Sequence, residues 1–332
     1  MTDKEYLAFI NQNYENQERY VLELKKIYKE YINEASRLTF DLDYNPEETF
    51  SFAKFPKTKK LMDKLIVRFS KDVQLLIENG IYKSWNLANT KNDKLVLDIF
   101  KGRLSANQIP NYNLRNIDAL REFQKRKTSG LNLSNRVYNI GKQFNKDVEL
   151  FLDKSLVSGI SAKDLAKEMN NSLLKPKTTG GRGVYKSSYA NSLRLTRTEL
   201  NMAYRGSDNE RFNQFDFVVG QEIKRSNRFF KCDICEPLVG KYNKQFVFKG
   251  FHPNCRCYVV PILCTKEELD KLTENIIQGK SNLGFKSENA VNELPSNFND
   301  WIDKNKSKIL SAKNIPYFIQ DNINLKELKF AK

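Results

Sequence analysis

Apolar residues recur along the first half of the chain at steps of three and four. Leu24, Ile27, Tyr28, Tyr31 and Leu38 mark one long helix, whose other face is Glu, Lys and Asn. Residues 41–56 interrupt this pattern, with Pro46 and Pro56 as punctuation. A second stripe of Leu61, Leu65, Phe69, Val73, Leu76 and Ile77 predicts a helix that ends near Gly80. Residues 92–100 and 113–125 predict two more, and this half shows no alternating strand pattern. Residues 135–156 form another amphipathic segment, ending at Gly159. Ser161 then reads as an N-cap, with Asp164 at the capping-box distance. The glycine-rich stretch 178–183 predicts a mobile loop, and helical periodicity resumes from Val184 to about Phe215.

The texture then changes. Residues 216–223, carrying Phe217, Val218, Val219 and Ile223, read as a strand, and 245–248 and 257–263 as two more. Helix returns over 266–278. A polar linker follows over 279–292, and 296–310 predict a short terminal helix. The expected fold is therefore mostly α with a small metal-stabilised antiparallel β subdomain, an α+β chain. Three segments are expected: an N-terminal helical domain over 1–130, a central module over 131–265 and a C-terminal helical tail over 266–332.

Composition adds a partner class. The chain of 332 residues carries a net charge of +16, which favours a polyanion, nucleic acid first. A lysine-rich solvated surface explains the same excess. Basic residues cluster at Arg121, Lys125, Arg126 and Lys127, then at Arg136, Lys142 and Lys146, on what can equally be a solvated helix face. No run of about 18 apolar residues offers a membrane-spanning helix. The start, Met1-Thr2-Asp3-Lys4-Glu5, lacks the pattern of a secretory signal, so a reducing cytoplasm is the expected site of synthesis.

Cysteine usage sharpens this. Four of the five cysteines (Cys232, Cys235, Cys255 and Cys257) share one short window with His252, the only histidine; Cys264 follows shortly. In a reducing compartment this spacing points to metal rather than disulfides. A structural zinc ion wants four nitrogen or sulfur ligands, usually as two close pairs joined by a spacer. Cys232 and Cys235 form one pair. The second is either His252 with Cys255, whose spacing repeats the first and is preferred, or Cys255 with Cys257. The window is polar and short of aliphatic residues, so binding of roughly 10–16 kcal/mol would stabilise what burial cannot. A site saturated by protein ligands leaves no position for an activated water.

Arg194, Arg197 and Asn201 fall on one face of the preceding helix. Glu199 could be a catalytic carboxylate. The preferred reading makes Arg197 and Glu199 polar anchors for the backbone of the metal loop. Residues 180–183 lack the Gly-Lys-Ser/Thr ending of a phosphate loop.

The order Arg197-Thr198-Glu199, then Cys232-x-x-Cys235-x-x-Leu238-x-Gly240, then His252-Pro253-x-Cys255-Arg256-Cys257 resembles the head-morphogenesis family of tailed bacteriophages, the minor head proteins related to the F protein of phage Mu. Gly159 to Leu165 resembles the helix start that opens the family's module, and the resemblance covers roughly residues 130–265. Trp301, Asn305 and Pro316-Tyr317-Phe318 resemble a tail in some relatives. The resemblance implies a virion component, a minor head (capsid) protein made in the host cytoplasm. It would be associated with the portal and other head proteins, with a part in head assembly and in DNA packaging or ejection. Phage DNA would be met through non-specific electrostatics. Enzymatic activity is not expected. Two other classes compete. One is a zinc-dependent nuclease of the treble-clef kind, which would need a histidine base besides its ligands. The other is a free-standing zinc-containing nucleic-acid-binding protein, for which no recognition helix stands out.

Overall fold

The computed structural model describes the chain apart from residues 40, 41, 43, 44, 46, 106, 109–111, 158–161, 176–184, 227–231, 313, 325–328, 331 and 332. Ser161 and the glycine-rich loop therefore lie outside the described residues. The chain is mostly helical with one three-stranded antiparallel sheet, and among the described residues the first half holds helices without a strand. The helices are α1 (Asp3–Arg37), α2 (Pro56–Phe100), α3 (Ile117–Lys125), α4 (Leu133–Val157), α5 (Ala162–Leu173), α6 (Ser188–Gln214), α7 (Lys266–Ile277), α8 (Ser296–Ser311) and the short α9 (Tyr317–Gln320). No helix among the described residues is long and apolar enough to cross a membrane.

Two expectations about elements are corrected. The separate helices expected to end near Gly80 and to span 92–100 are one 45-residue helix, α2. An interior glycine costs a helix only about 1 kcal/mol, and buried Ile77, Ile81 and Trp85 carry the apolar stripe across it. The strand expected at 245–248 is not one: the partner of β1 (Val218–Lys224) is β2 (Gly240–Tyr242), with β3 (Tyr258–Leu263) on the other side. Phe246 and Phe248 are buried, which explains their strand-like look. Their backbone is held by side chains instead, with Gln221 Nε2 on the Phe246 carbonyl and Asn322 bracketing Val247 through both its N–H and its carbonyl.

Compaction does not follow the three sequential segments. One compact unit takes residues 1–16, 81–124 and 198–332; the other takes 17–80 and 125–197. The reason is helix length. α1, α2 and α6 are 35, 45 and 27 residues long, and at 1.5 Å per residue each outruns a single small core and divides between two.

The second unit is a helical bundle with an aromatic centre. Tyr28, Phe69 and Phe144 pack with centroids 4.7–5.5 Å apart, and the Tyr28 hydroxyl meets Ser192 Oγ at 2.7 Å. Arg197 belongs to this unit and clasps Glu18 with Nε and Nη2 at 3.1 and 2.7 Å.

The first unit contains the sheet, the end of α6 and the whole C-terminal segment. β1 pairs with β2 through Gln221↔Tyr242 to Ile223↔Gly240, and with β3 through Val218↔Leu263 to Lys224↔Tyr258, with an irregularity between Val218 and Gly220. The expected tail is thus part of this core. Phe298 and Phe318 pack against Tyr242, Phe246 and Phe251. Asn297 Nδ2 binds the Pro237 and Val239 carbonyls at 3.0 and 2.8 Å. A second polar core lies in the same unit. Lys91 is fully buried, with Nζ 2.8 Å from Asp208 and 2.8 Å from the Tyr6 hydroxyl, and it sits over the rings of Tyr6, Tyr204 and Phe212.

Candidate metal centre

Two tight turns carry the donors. In the first, the Glu236 N–H bonds the Cys232 carbonyl at 2.9 Å and Leu238 N–H bonds that of Cys235 at 3.0 Å. In the second, Cys255 N–H bonds the His252 carbonyl at 3.1 Å. Asn254 makes this turn in the left-handed region, φ +61°, which Asn tolerates better than most residues. Each turn places two side chains, three residues apart in sequence, on one side of its loop.

The structure brings all five expected donors together. Cys232, Cys235 and His252 form one triad, and Cys235, Cys255 and Cys257 form another, the ligand atoms of each lying within 4.8 Å of one another. Cys235 belongs to both. His252 Nε2 stands 3.1 Å from Cys235 Sγ and 3.2 Å from Cys232 Sγ, and Cys235 Sγ stands 3.7 Å from Cys255 Sγ. Neighbouring donors on a tetrahedral zinc ion, at Zn–S of about 2.3 Å and Zn–N of about 2.0–2.1 Å, are about 3.5–3.8 Å apart. The sulfur pair matches that edge, and the nitrogen–sulfur pairs fall slightly inside it. His252 Nδ1 lies 2.8 Å from the Pro253 carbonyl, which fixes the proton on Nδ1 and leaves Nε2 as the bare donor. All five cysteines are free thiols. The residues fit a borderline-soft divalent ion, and together they form a site that can hold a metal.

Electrostatics within the cluster favours shared negative charge. Hydrogen bonding to Cys255 raises the Cys235 thiol above its ordinary range. Cys255 moves the other way. Burial opposes its ionisation, but hydrogen bonds from Cys235 and Cys257, with Arg205 and His252 close by, hold it well below the usual thiol range. Burial also pushes the neighbouring Tyr14 phenol up to about 12, and its hydroxyl donates to the Arg256 carbonyl at 2.5 Å.

The loop rests on α6 through Thr198, Asn201 and Arg205. Thr198 Oγ1 accepts the Asn254 N–H at 2.9 Å. Asn201 Nδ2 donates to the Cys255 carbonyl at 2.7 Å. Arg205 donates through Nη2 to the carbonyls of Cys255, at 2.8 Å, and Cys257, and through Nη1 to that of Lys249 at 3.0 Å. Thr198, Asn201 and Arg205 follow the three-and-four spacing of one helical stripe. Arg197 lies 100° off Thr198 on the helix, and its guanidinium is engaged by Glu18, so it is corrected from a loop anchor to an ion pair of the second unit. Glu199 is buried at 1% exposure and close enough to Tyr317 to help raise that phenol, after burial, Cys255 and Cys235. Arg205 and Tyr317 are the contributors that sequence reasoning missed. The signal for Arg205 was its place seven residues after Thr198.

No family model, no curated protein and no solved structure matches the chain. The candidate metal site therefore stands on its own geometry.

Proposed function

We propose that this protein is a minor head component of a tailed bacteriophage, a portal-associated assembly part whose sheet and loop are stapled by a structural zinc ion. The observation that carries the reading is the bond from Asn254 N–H to Thr198 Oγ1. It joins the helix motif Arg197-Thr198-Glu199 to His252-Pro253-x-Cys255-Arg256-Cys257, two pieces of sequence that together resemble the head-morphogenesis module. Motifs that far apart in sequence and bonded in space behave as one module. The cluster also suits a building part better than a catalyst. The only histidine is engaged through both ring nitrogens, which leaves no imidazole free to act as general base.

The test is an inventory of purified particles and procapsids by mass spectrometry, with metal analysis of the recombinant chain. The expected result is a low-copy protein that co-purifies with the portal and carries about one equivalent of zinc. Absence from both particle forms, or divalent-metal-dependent DNA cleavage lost in His252→Ala, would replace this reading with the nuclease.

A further inference from the structure

Arg205 is buried at 4% exposure at the back of the metal loop. Its guanidinium is satisfied in hydrogen bonds by three backbone carbonyls, those of Lys249, Cys255 and Cys257, and it faces the Phe248 ring at 5.1 Å. Carbonyl dipoles and a ring face do not neutralise a full charge. The other buried cations of this unit have carboxylates: Lys91 has Asp208 and Arg211 has Asp93. Among the described residues no carboxylate lies within ion-pair distance of Arg205, and the strongest ionisable neighbours of its guanidinium are Cys255, Tyr14, Cys257 and Tyr317. A guanidinium cannot shed its proton to escape, and a buried unpaired charge costs several kcal/mol. Of these four groups the cysteines ionise most readily, and binding a metal ion makes them thiolates.

We infer that Arg205 is the buried counter-cation of an anionic metal–thiolate centre, in which at least three of the four clustered cysteines ligate the ion as thiolates. The inference rests on the zinc reading above and specifies the charge of that site. A divalent ion with three thiolates and one neutral imidazole carries a net charge of −1, and with four thiolates −2. Two thiolates would leave the site neutral and Arg205 uncompensated. Because the same guanidinium ties the Cys255 and Cys257 carbonyls to α6, loading the ion and docking the loop onto the helix become one event. Arg205 acts here as a positioning and charge-balancing residue.

Gln at this position keeps hydrogen-bond donors for the carbonyls but loses the charge, whereas Lys keeps the charge. Zinc affinity of the full-length protein is measured by competition with a chromophoric chelator, and the thiolate count by the sulfur-to-metal charge-transfer band after cobalt loading. Arg205→Gln is expected to weaken zinc by about 10–100-fold, the range for residues that support metal ligands, and Arg205→Lys to recover most of it. The cobalt band is expected to report three or four thiolates. Wild-type affinity in Arg205→Gln, an equal loss in Arg205→Lys, or only two thiolates overturns the inference. Should Arg205→Gln not fold, the wild-type protein decides. Its Arg205 guanidinium protons should exchange slowly with zinc bound and fast after chelation, and unchanged exchange overturns the inference. Failure of the wild-type chain to bind zinc or cobalt is a separate result, and refutes the metal centre itself.

Discussion

Replacing Cys235 by serine removes the one sulfur common to both donor triads. Cys235 is 2% exposed, and its sulfur lies 3.1 Å from His252 Nε2 and 3.7 Å from Cys255 Sγ. Serine has a shorter arm and a hydroxyl that does not ionise near neutral pH, so neither triad closes. Isolated zinc-finger peptides gain roughly 10–16 kcal/mol from their ion, but this loop also has an aromatic core behind it, Phe246, Phe251, Phe298 and Phe318. The measurable part is linkage. With free zinc at 1,000 times its dissociation constant, binding stabilises the native state by about 4 kcal/mol. The unit that holds the site spans roughly 200 residues, and unfolding entropy of about 2.1 cal/mol/K per residue turns 4 kcal/mol into a rise in Tm of about 10 °C. Thermal unfolding in zinc-buffered solution, against the same solution with excess chelator, should show this rise in the wild type and lose it in Cys235→Ser. Cys264→Ser is the control: its thiol is buried but belongs to neither triad, so the zinc-dependent rise should survive. A Cys235→Ser protein that keeps the full zinc-dependent rise would refute the shared-vertex argument.

Lys91→Met leaves Asp208 buried and unpaired, and should cost about 3–5 kcal/mol in urea unfolding, whereas Lys91→Met with Asp208→Leu should recover most of it; a double variant as unstable as the sum of the singles would count against the pairing. Gly250 has φ +121°, and a Cβ there would lie 2.5 Å from Arg205 Nη1. Gly250→Ala should therefore cost about 1–3 kcal/mol and weaken zinc binding together, while an effect on neither would show that the loop has room to shift. Glu268 caps α7, and hydrogen bonds from Ser287 Oγ and from the Glu288 and Thr265 N–H groups lower its pKa from 4.5 to about 2. A depressed carboxylate contributes stability above pH 4.5 and loses it as pH falls through about 2. The stability gap between wild type and Glu268→Gln should thus be full at pH 6 and close towards pH 2, and a gap independent of pH would disprove the carboxylate's role.

Local repetition made the helices readable, because an amphipathic stripe is a property of residues three and four apart. The second half of α1, the span of α4 and the limits of α7 all carried that signal. The metal window was readable for another reason: four cysteines and the only histidine in one short stretch are rare enough to stand out without any fold. The sequence also held both turns, since the three-residue spacing of each pair is itself the turn geometry.

Tertiary structure alone decided what the polar residues of α6 are for. Every residue from Glu199 to Asp208 is buried, including Asn201, Arg205 and Asp208, which in a string of letters look like a solvated face. A polar side chain reveals its role only through what packs against it. For Asn201 and Arg205 that is a loop about fifty residues later, and for Asp208 it is a lysine on α2. The same limit misplaced the second strand. β2 is Gly-Lys-Tyr, too short to alternate, and becomes a strand only because β1 offers it an edge, while Phe246 and Phe248 are apolar for the sake of the core they fill. Hydrophobic periodicity and ligand spacing are encoded between near neighbours, whereas charge compensation and strand pairing depend on partners that meet only once the chain has folded.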